Sequence, residues 1–321
     1  MSGTGPPTAA RTGRLDRRNL LRLGAGLGAG VALAAAGCGG DDEIDILEAT
    51  SLPEVAGARR LAYGESPSQW IDVAFPSAAP EDETSETDLA PALVVLIHGG
   101  FWLDRFGADL MTPLARDLID RGYAVANLEY RRLGEEGGGW PGTLEDVAAG
   151  IDLLTTAGER LGRAMPPTVI TVGHSAGGQL AVWAAARPRL KPGAVGADPA
   201  LKPKATVSLA GVLDLRGAAL EGVGDGVVGE FLGGDPRDVP ERYAVASPLA
   251  LLPLGLPTLC VHGTADTNVP PTQSETYVDS ARPLGDDVTL EAVDGADHFV
   301  VIDPTAEPWR RTTAWIDGTL G

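Results

Sequence analysis

The sequence predicts an α/β fold in which helices cover both faces of a mostly parallel central sheet of about eight strands. Short apolar runs such as 93–98 and 169–173 alternate along the chain with longer segments of helical periodicity. Several of these runs have no polar face, which is typical of strands that are buried on both sides. The chain of 321 residues is long enough for one such domain with its own core.

The predicted strands follow one another at intervals that leave room for helices between them. They are expected near residues 60–63, 70–75, 93–98, 124–129, 169–173, 205–210, 258–262 and 289–293. The sequence TLED at 143–146 has the spacing of a capping box and predicts the start of a helix. A polar surface loop is expected over 76–91 and a closing helix over about 304–319.

The motif GHSAG at 173–177 carries the strongest chemical signal in the sequence. It follows an apolar run and precedes small residues at helical spacing, and G-x-S-x-G in that setting turns a serine into an exposed nucleophile. Its glycines allow the strained turn and a close approach of the helix to the sheet. Ser175 is therefore the expected nucleophile, and the amide of Ala176 at the helix start is an expected oxyanion donor.

Elimination among the four histidines indicates the general base. His174 adjoins the serine on the same turn, so we expect it to orient the turn. His98 and His262 end predicted strands, where a structural role is expected. His298 lies in the loop after the last predicted strand, and a serine nucleophile needs an imidazole within reach. His298 is the expected base.

The acid that orients this base is expected between the serine and the histidine in the chain. Asp266 follows a predicted strand directly and fits this order. Its alternative role is to close an Asx-turn, which the sequence DTN favours. Asp214 and Asp297 are competitors, but Asp214 follows an earlier strand and Asp297 adjoins the histidine too closely to reach its far nitrogen.

The sequence HGGFW at 98–102 follows another apolar strand and completes the predicted site. Glycines there let backbone amides approach a substrate oxygen, so the amides of Gly100 and Phe101 are expected oxyanion donors beside Ala176. The alternative is a plain loop in which Trp102 only packs. The serine turn further along the chain favours the functional interpretation.

Together these motifs resemble the α/β-hydrolases of the esterase and lipase group. HGGFW and GHSAGG are most similar to the motifs of bacterial feruloyl-esterase-like (BD-FAE) hydrolases and of kynurenine formamidases (arylformamidases). Further matching segments are EYRR at 129–132, WP at 140–141 before a helix with EDV at 145–147, and ASP at 246–248. The resemblance runs from about Tyr63 to Trp315.

The resemblance implies the α/β-hydrolase fold, a triad of Ser175, Asp266 and His298, and hydrolysis of a small-molecule ester or activated amide. It also implies that the segment 212–256, which interrupts the alternation of strands and helices, is a small cap insertion beside the serine. The glycines of this segment suit a mobile lid and a solvent-exposed loop equally well.

The first residues of the chain predict export. Residues 1–37 contain the pair Arg17 and Arg18 before a Gly/Ala-rich apolar stretch, which resembles a twin-arginine signal and is too short to span a bilayer. The sequence AAGC resembles a lipoprotein cleavage box and makes Cys38 the expected lipidation site. The alternative is simple cleavage near residues 34–36 and secretion. Residues 38–58 are expected to form a tether before the hydrolase domain at 59–321.

Composition excludes several other classes of function. The formal net charge of −19 repels nucleic acid and anionic lipid, so a lipid on Cys38 is the only membrane contact expected. No disulfide framework is possible if Cys38 is lipidated, because Cys260, in a predicted core strand, is the only other cysteine. No group of residues has metal-ligand spacing, and the glycine-rich runs lack the order of a nucleotide loop, so no metal or cofactor is expected.

Carboxylic ester hydrolysis through an acyl-enzyme is thus the first hypothesis for the function. Amide hydrolysis of the arylformamidase type is the alternative, which export disfavours, and a peptidase ranks third. A hypothesis of another class is a non-catalytic extracytoplasmic binding lipoprotein. The sequence leaves the acyl group, the leaving group and the oligomeric state open.

Overall fold

One sheet of eight strands forms the centre of the described part of the chain. The computed structural model describes residues 55, 57–76 and 90–320. The strands are β1 (Arg59–Ala62), β2 (Trp70–Ala74), β3 (Leu93–Ile97), β4 (Ala124–Leu128), β5 (Val169–His174), β6 (Ala205–Leu209), β7 (Thr258–Gly263) and β8 (Val288–Val293). Their order across the sheet is β1-β2-β4-β3-β5-β6-β7-β8. The pairs β1–β2 and β2–β4 are antiparallel and all later pairs are parallel, which confirms the predicted fold class.

The inner strands are buried on both faces, as their continuous apolar sequences predict. In β3, Leu93, Val95 and Ile97 point into one hydrophobic core, while Val94 and Leu96 point into the core on the other face. This alternation follows from the two-residue period of a strand. Helices must therefore cover both faces of the sheet.

The main helices are divided between the two faces. They are α1 (Thr112–Asp120), α2 (Gly142–Leu161), α3 (Ala176–Ala186), α7 (Thr272–Ala281) and α8 (Glu307–Leu320). The cores place α2, α3 and α7 on one face of the sheet and α1 and α8 on the other. Every residue of α3 is buried, which explains why its sequence consists largely of alanine and glycine.

The segment 212–256 folds into three short helices. These are α4 (Leu215–Glu221), α5 (Val227–Leu232) and α6 (Pro240–Ala246), with 3₁₀ turns at Val223–Gly226 and Pro248–Leu251. Side chains from this segment, among them Phe231 and Tyr243, are buried in the same core as α2 and α3. A mobile lid stays one of the two alternatives that the sequence leaves open for this segment.

The prediction of a capping box at 143–146 is wrong, because this motif does not form. Helix α2 begins at Gly142 after Pro141, without a side-chain cap. The hydroxyl of Thr143 instead donates to the carbonyl of Arg131 at 2.5 Å and accepts from the amide of Gly139 at 3.0 Å. It binds the incoming loop because Thr143 lies one residue inside the helix, where the orphan amides are out of its reach. The closing helix begins at Glu307, later than predicted.

Several predictions fall on residues that the structure does not describe. The export signal at 1–37, Cys38, most of the tether and most of the polar loop at 76–91 lie outside the described residues. Among the residues that are described, no helix is long and apolar enough to cross a membrane. The same residues contain no group of three or more His, Cys, Asp or Glu that could hold a metal ion.

Candidate active site

Ser175 stands on a strained turn between β5 and α3. Its backbone has φ 56° and ψ −120°, a conformation that a residue with a Cβ atom rarely adopts. The Ser175 amide donates to the carbonyl of Leu209 on β6 at 2.8 Å. The Ser175 carbonyl accepts from the amides of Gly178 and Gln179 at 2.9 and 3.2 Å. These bonds hold the serine in the strained conformation that characterises a nucleophile turn.

The glycines beside Ser175 are required by close packing of the backbone. A Cβ atom on Gly173 would collide with the carbonyl of Gly177, and one on Gly177 would collide with the carbonyls of Ile97 and His98. The turn therefore packs directly against the end of β3. This contact places Ser175 beside the loop that contains the expected oxyanion donors.

Asp266 and His298 are joined by a short hydrogen bond. The Nδ1 atom of His298 lies 2.6 Å from Oδ2 of Asp266, and both side chains are buried. Asp266 follows β7 and His298 follows β8, so neighbouring parallel strands bring the two residues to the same edge of the sheet. A carboxylate at Nδ1 fixes the tautomer of the imidazole and leaves Nε2 as the proton acceptor.

The Asx-turn considered for Asp266 exists together with this bond. Oδ1 of Asp266 accepts from the amides of Asn268 and Val269 at 2.8 and 2.9 Å, while Oδ2 contacts His298. The turn therefore orients the carboxylate toward the imidazole. The two interpretations of Asp266 that the sequence left open describe the two oxygens of one side chain.

The carboxylate of Asp266 is held ionised by its neighbours. Burial alone would raise its pKa, but hydrogen bonds from His262 and His298 outweigh burial and keep the pKa well below the usual range of an aspartate. Nε2 of His262 lies 3.3 Å from Oδ2 of Asp266 and 3.0 Å from the carbonyl of Val269, and its Nδ1 lies 2.7 Å from the hydroxyl of Ser274. His262 thus supports the carboxylate of Asp266 from the end of β7.

His174 connects the serine turn to the histidine loop. Its Nε2 donates to the carbonyl oxygen of His298 at 2.9 Å, and the centroids of the two rings lie 4.6 Å apart. Burial, with a smaller contribution from His298, lowers the pKa of His174 to about 3. The ring is therefore neutral near pH 7 and acts as a hydrogen-bond donor to the backbone of the His298 loop.

The loop after β3 has the backbone expected of an oxyanion loop. Gly100, Phe101 and Trp102 have φ angles of 112°, 55° and 55°, and the amide of Leu103 closes the turn on the carbonyl of Gly100 at 3.0 Å. Two successive non-glycine residues in the left-handed region store strain, which is common at functional sites. The amides of Gly100 and Phe101 lie in this turn.

Gly99 brings this loop against Ser175. A Cβ atom at Gly99 would lie 2.7 Å from the carbonyl oxygen of His174 and 2.9 Å from Cβ of Ser175. Only glycine fits between the loop and the serine turn at this distance. The structure therefore places the loop with Gly100 and Phe101 next to Ser175 and Ala176.

Sequence reasoning missed the support beneath this loop, which is the hydrogen-bonded contact between the His98 ring and the Glu129 carboxylate. Nε2 of His98 lies 2.8 Å from Oε1 of Glu129, and its Nδ1 lies 2.8 Å from the carbonyl of Gly99. Burial opposes ionisation of Glu129, but the interactions with His98 and Arg132 lower its pKa. The signal available in the sequence was a glutamate directly after the buried strand β4.

The competing acids have local structural roles. Asp214 caps α4 and accepts from the amide of Gly217 at 3.0 Å. Asp297 accepts from the amides of Phe299 and Val300 at 2.9 and 3.0 Å. Cys260 is buried in β7, and burial raises the pKa of its thiol to about 12, so it carries no thiolate near neutral pH.

The sheet, the serine turn and the acid and histidine after the last strands define an α/β-hydrolase. The BD-FAE family model matches residues 80–280, a range that includes Ser175 and Asp266 and ends before His298. The chain therefore belongs to the BD-FAE family, within the esterase group of the α/β-hydrolases, which confirms the resemblance found in the sequence.

Known proteins agree with this assignment. The chain is 26% identical over 257 residues to a "probable isoprenylcysteine alpha-carbonyl methylesterase" of Oryza sativa subsp. japonica, covering 75% of this chain. The match spans 56% of the length of that protein. This chain therefore matches only about half of that longer protein.

Two solved structures share the fold at low sequence identity. A truncated carbohydrate esterase from gut microbiota superposes with a TM-score of 0.67 at 20% identity, covering 81% of this chain and 95% of that one. An esterase from the planctomycete Thermogutta terrifontis gives 0.65 at 22% identity, covering 84% and 93%. At these identities the likeness shows the fold alone.

Proposed function

We propose that this protein hydrolyses carboxylic esters of small molecules with Ser175 as nucleophile, His298 as general base and Asp266 as the orienting acid. The observation that carries the proposal is the 2.6 Å bond between Asp266 and His298, and the His174 ring, directly before Ser175, donates to the backbone carbonyl of His298. His174 packs on the His298 ring and precedes the serine in the chain, which supports a site shared by His298 and Ser175.

In the first half of the proposed reaction, Nε2 of His298 takes the hydroxyl proton while Oγ of Ser175 attacks the ester carbonyl carbon. The carbonyl oxygen becomes an oxyanion that the amides of Gly100, Phe101 and Ala176 stabilise. Each such donor contributes about a hundredfold to a thousandfold in rate. The carbon–oxygen bond to the leaving group then breaks, and the alcohol leaves with the proton from His298.

In the second half, a water molecule attacks the acyl group on Ser175. His298 takes a proton from this water, the same amides hold the second oxyanion, and Oγ of Ser175 leaves with the proton. The carboxylic acid is released and the enzyme returns to its first state. Asp266 stays ionised through both halves, because its pKa is held well below the usual range.

The relevant experiment is covalent labelling of the folded protein with a fluorophosphonate, followed by ester turnover. Labelling of wild type and loss of the label in Ser175→Ala support the proposal. A structural neighbour of the same fold, esterase 2 of Thermogutta terrifontis at 20% identity, is known phosphonylated by sarin. A folded wild type without the label would favour a non-catalytic binding protein.

A second assay separates ester from formamide hydrolysis. With the same His298 and Asp266, the hydroxyl of Ser175 can attack the carbonyl carbon of an ester or of a formamide. The motif HGGFW also resembles that of arylformamidases. Turnover of p-nitrophenyl acetate and N-formylkynurenine by one preparation is the comparison. We expect the ester to react faster, and a large preference for the formamide would replace the proposed activity.

A further inference from the structure

Trp102 is a buried side chain next to the expected oxyanion donors. It follows Gly100 and Phe101 directly, has no exposed surface, and shares their left-handed backbone. Its indole Nε1 donates to Oε1 of Gln179 at 3.1 Å. This bond ties the side chain of Trp102, and with it the loop, to helix α3.

Gln179 uses both ends of its amide. Besides accepting from Trp102, it donates from Nε2 to the carbonyl of Ala246 at 2.9 Å, and it is fully buried. Only one orientation of the amide satisfies an N–H donor on one side and a carbonyl on the other. The backbone amide of Gln179 also bonds to the carbonyl of Ser175. One residue thus contacts the serine turn, the oxyanion loop and the segment 212–256.

The contact with Ala246 lies at the end of helix α6. The last carbonyls of a helix have no partner within it, and Gln179 and Trp183 supply donors to two of them. Nε1 of Trp183 donates to the carbonyl of Val245 at 2.9 Å. Trp183 follows Gln179 by one helical turn, so both dock α6 on α3, but only Gln179 joins this docking to Trp102.

The segment 212–256 also touches the oxyanion loop directly. The ring of Phe231 on α5 stacks on Trp102, with centroids 4.5 Å apart and planes within 4°. A Cβ atom on Gly224 would lie 2.9 Å from the ring of Phe101. The loop is therefore enclosed by this segment on the side of both aromatic residues.

We propose that Gln179 is a positioning residue that holds the amides of Gly100 and Phe101 in place and couples them to the segment 212–256. This inference rests on the proposed function. The left-handed backbone of the loop is strained, so it keeps its shape only while neighbouring contacts fix it. Loss of the bond to Gln179 leaves the buried indole N–H without a partner and lets the loop relax.

Such relaxation affects the transition state more than the bound substrate. An oxyanion donor contributes only if it lies about 2.7–3.1 Å from the oxygen as the charge develops. A displaced amide therefore lowers kcat and leaves KM nearly unchanged. A purely structural role of Gln179 would instead lower thermal stability without this division between kcat and KM.

The experiment compares four variants in the hydrolysis of p-nitrophenyl acetate: Gln179→Met, Trp102→Phe, the double variant, and Trp183→Phe as the matched control. We expect each of the first two to lower kcat by about 10- to 100-fold with KM within about threefold, because a donor is misaligned and not removed. The double variant should be no slower than the slower single variant, since both changes break one bond. Trp183→Phe should keep kcat within about threefold, because it weakens only the docking of α6.

The inference fails if wild type is active and Gln179→Met keeps its kcat, or if the two single effects multiply in the double variant. If Gln179→Met does not fold, the comparison of Trp102→Phe with Trp183→Phe decides, and equal kcat values overturn the inference. A wild type that neither turns over esters nor accepts the fluorophosphonate would contradict the proposed function itself and the inference with it.

Discussion

The ring of His174 donates a hydrogen bond of 2.9 Å to the backbone carbonyl of His298. Strands β6 and β7 lie between β5, which ends at His174, and β8, which precedes His298. The bond therefore spans two intervening strands and joins the serine turn to the loop that contains His298. Because the His174 ring is buried, its protonation state bears on stability as well as on the geometry of the site.

Acidification should destabilise the protein through His174 before the carboxylates are protonated. The pKa of His174 is about 3 in the folded protein and about 6.5 in the unfolded chain, so the unfolded chain binds one more proton between these values. Stability then falls as pH decreases below about 6.5. The loss from this one group is about 2 kcal/mol between pH 7 and pH 5.

Urea unfolding of wild type and His174→Gln at these two pH values measures the effect. Glutamine can still donate to the carbonyl of His298 but does not titrate, so the variant should lose less stability on acidification than wild type does. Asp266 and Glu129 have lowered pKa values and contribute stability that is lost only at lower pH. An equal loss in both proteins would contradict the role of His174.

Replacing Asp266, the proposed acid, should reduce turnover far more than replacing its competitor Asp214. Asp266→Asn removes the carboxylate at Nδ1 of His298, and we expect kcat for p-nitrophenyl acetate to fall by about 10³- to 10⁴-fold. Asp214→Asn is the matched control, because asparagine caps a helix as well as aspartate and the capping bond to Gly217 is kept. Its kcat should change by less than about threefold. The reverse pattern would reassign the acid to Asp214.

Gly99→Ala should disable the site and destabilise the fold. The added Cβ atom would lie 2.7 Å from the carbonyl oxygen of His174, so the loop after β3 or the serine turn must move. We expect a loss of about 1–3 kcal/mol in the free energy of unfolding together with a large fall in kcat.

Gly318→Ala is the control for this substitution. Gly318 lies in helix α8 with no atom within 4 Å of an added Cβ atom. Alanine there should raise the free energy of unfolding by about 0.5–1 kcal/mol and leave kcat unchanged. Chemical denaturation and ester turnover measure both quantities. Wild-type activity in Gly99→Ala would show that the loop does not pack as described.

The parallel sheet could be predicted from sequence because its strands are continuous apolar runs of the right length. The serine turn was predictable for a different reason, since the glycines at 173 and 177 leave a local signature in the chain. Asp266 and His298 could be chosen because the chain order of such sites is restricted. Each of these features depends on short stretches of sequence or on their order.

The supporting contacts could not be predicted because they join residues that are far apart in the chain. Nothing in the sequence around Gln179 shows that its amide lies between Trp102 and Ala246. The same holds for His174, whose partner is a carbonyl group that every residue possesses. The capping box failed for a related reason, since the hydroxyl of Thr143 bonds to Arg131 in the preceding loop.

The last prediction concerns the anchor at Cys38, which lies outside the described residues. If Cys38 is lipidated, each buried methylene group contributes about 0.8 kcal/mol to membrane binding. The net charge of −19 offers no electrostatic attraction to anionic lipid, so the protein should depend on this lipid alone. We expect wild type in the membrane fraction of the producing cell and Cys38→Ser in the soluble fraction.

Cys260→Ser is the matched control for this fractionation, because Cys260 is buried in β7 and unavailable for lipidation. It should lower the free energy of unfolding through a buried hydroxyl and leave the protein in the membrane fraction. Immunoblots of both fractions measure the distribution. An unchanged distribution of Cys38→Ser would exclude the lipid anchor and favour simple cleavage near residues 34–36.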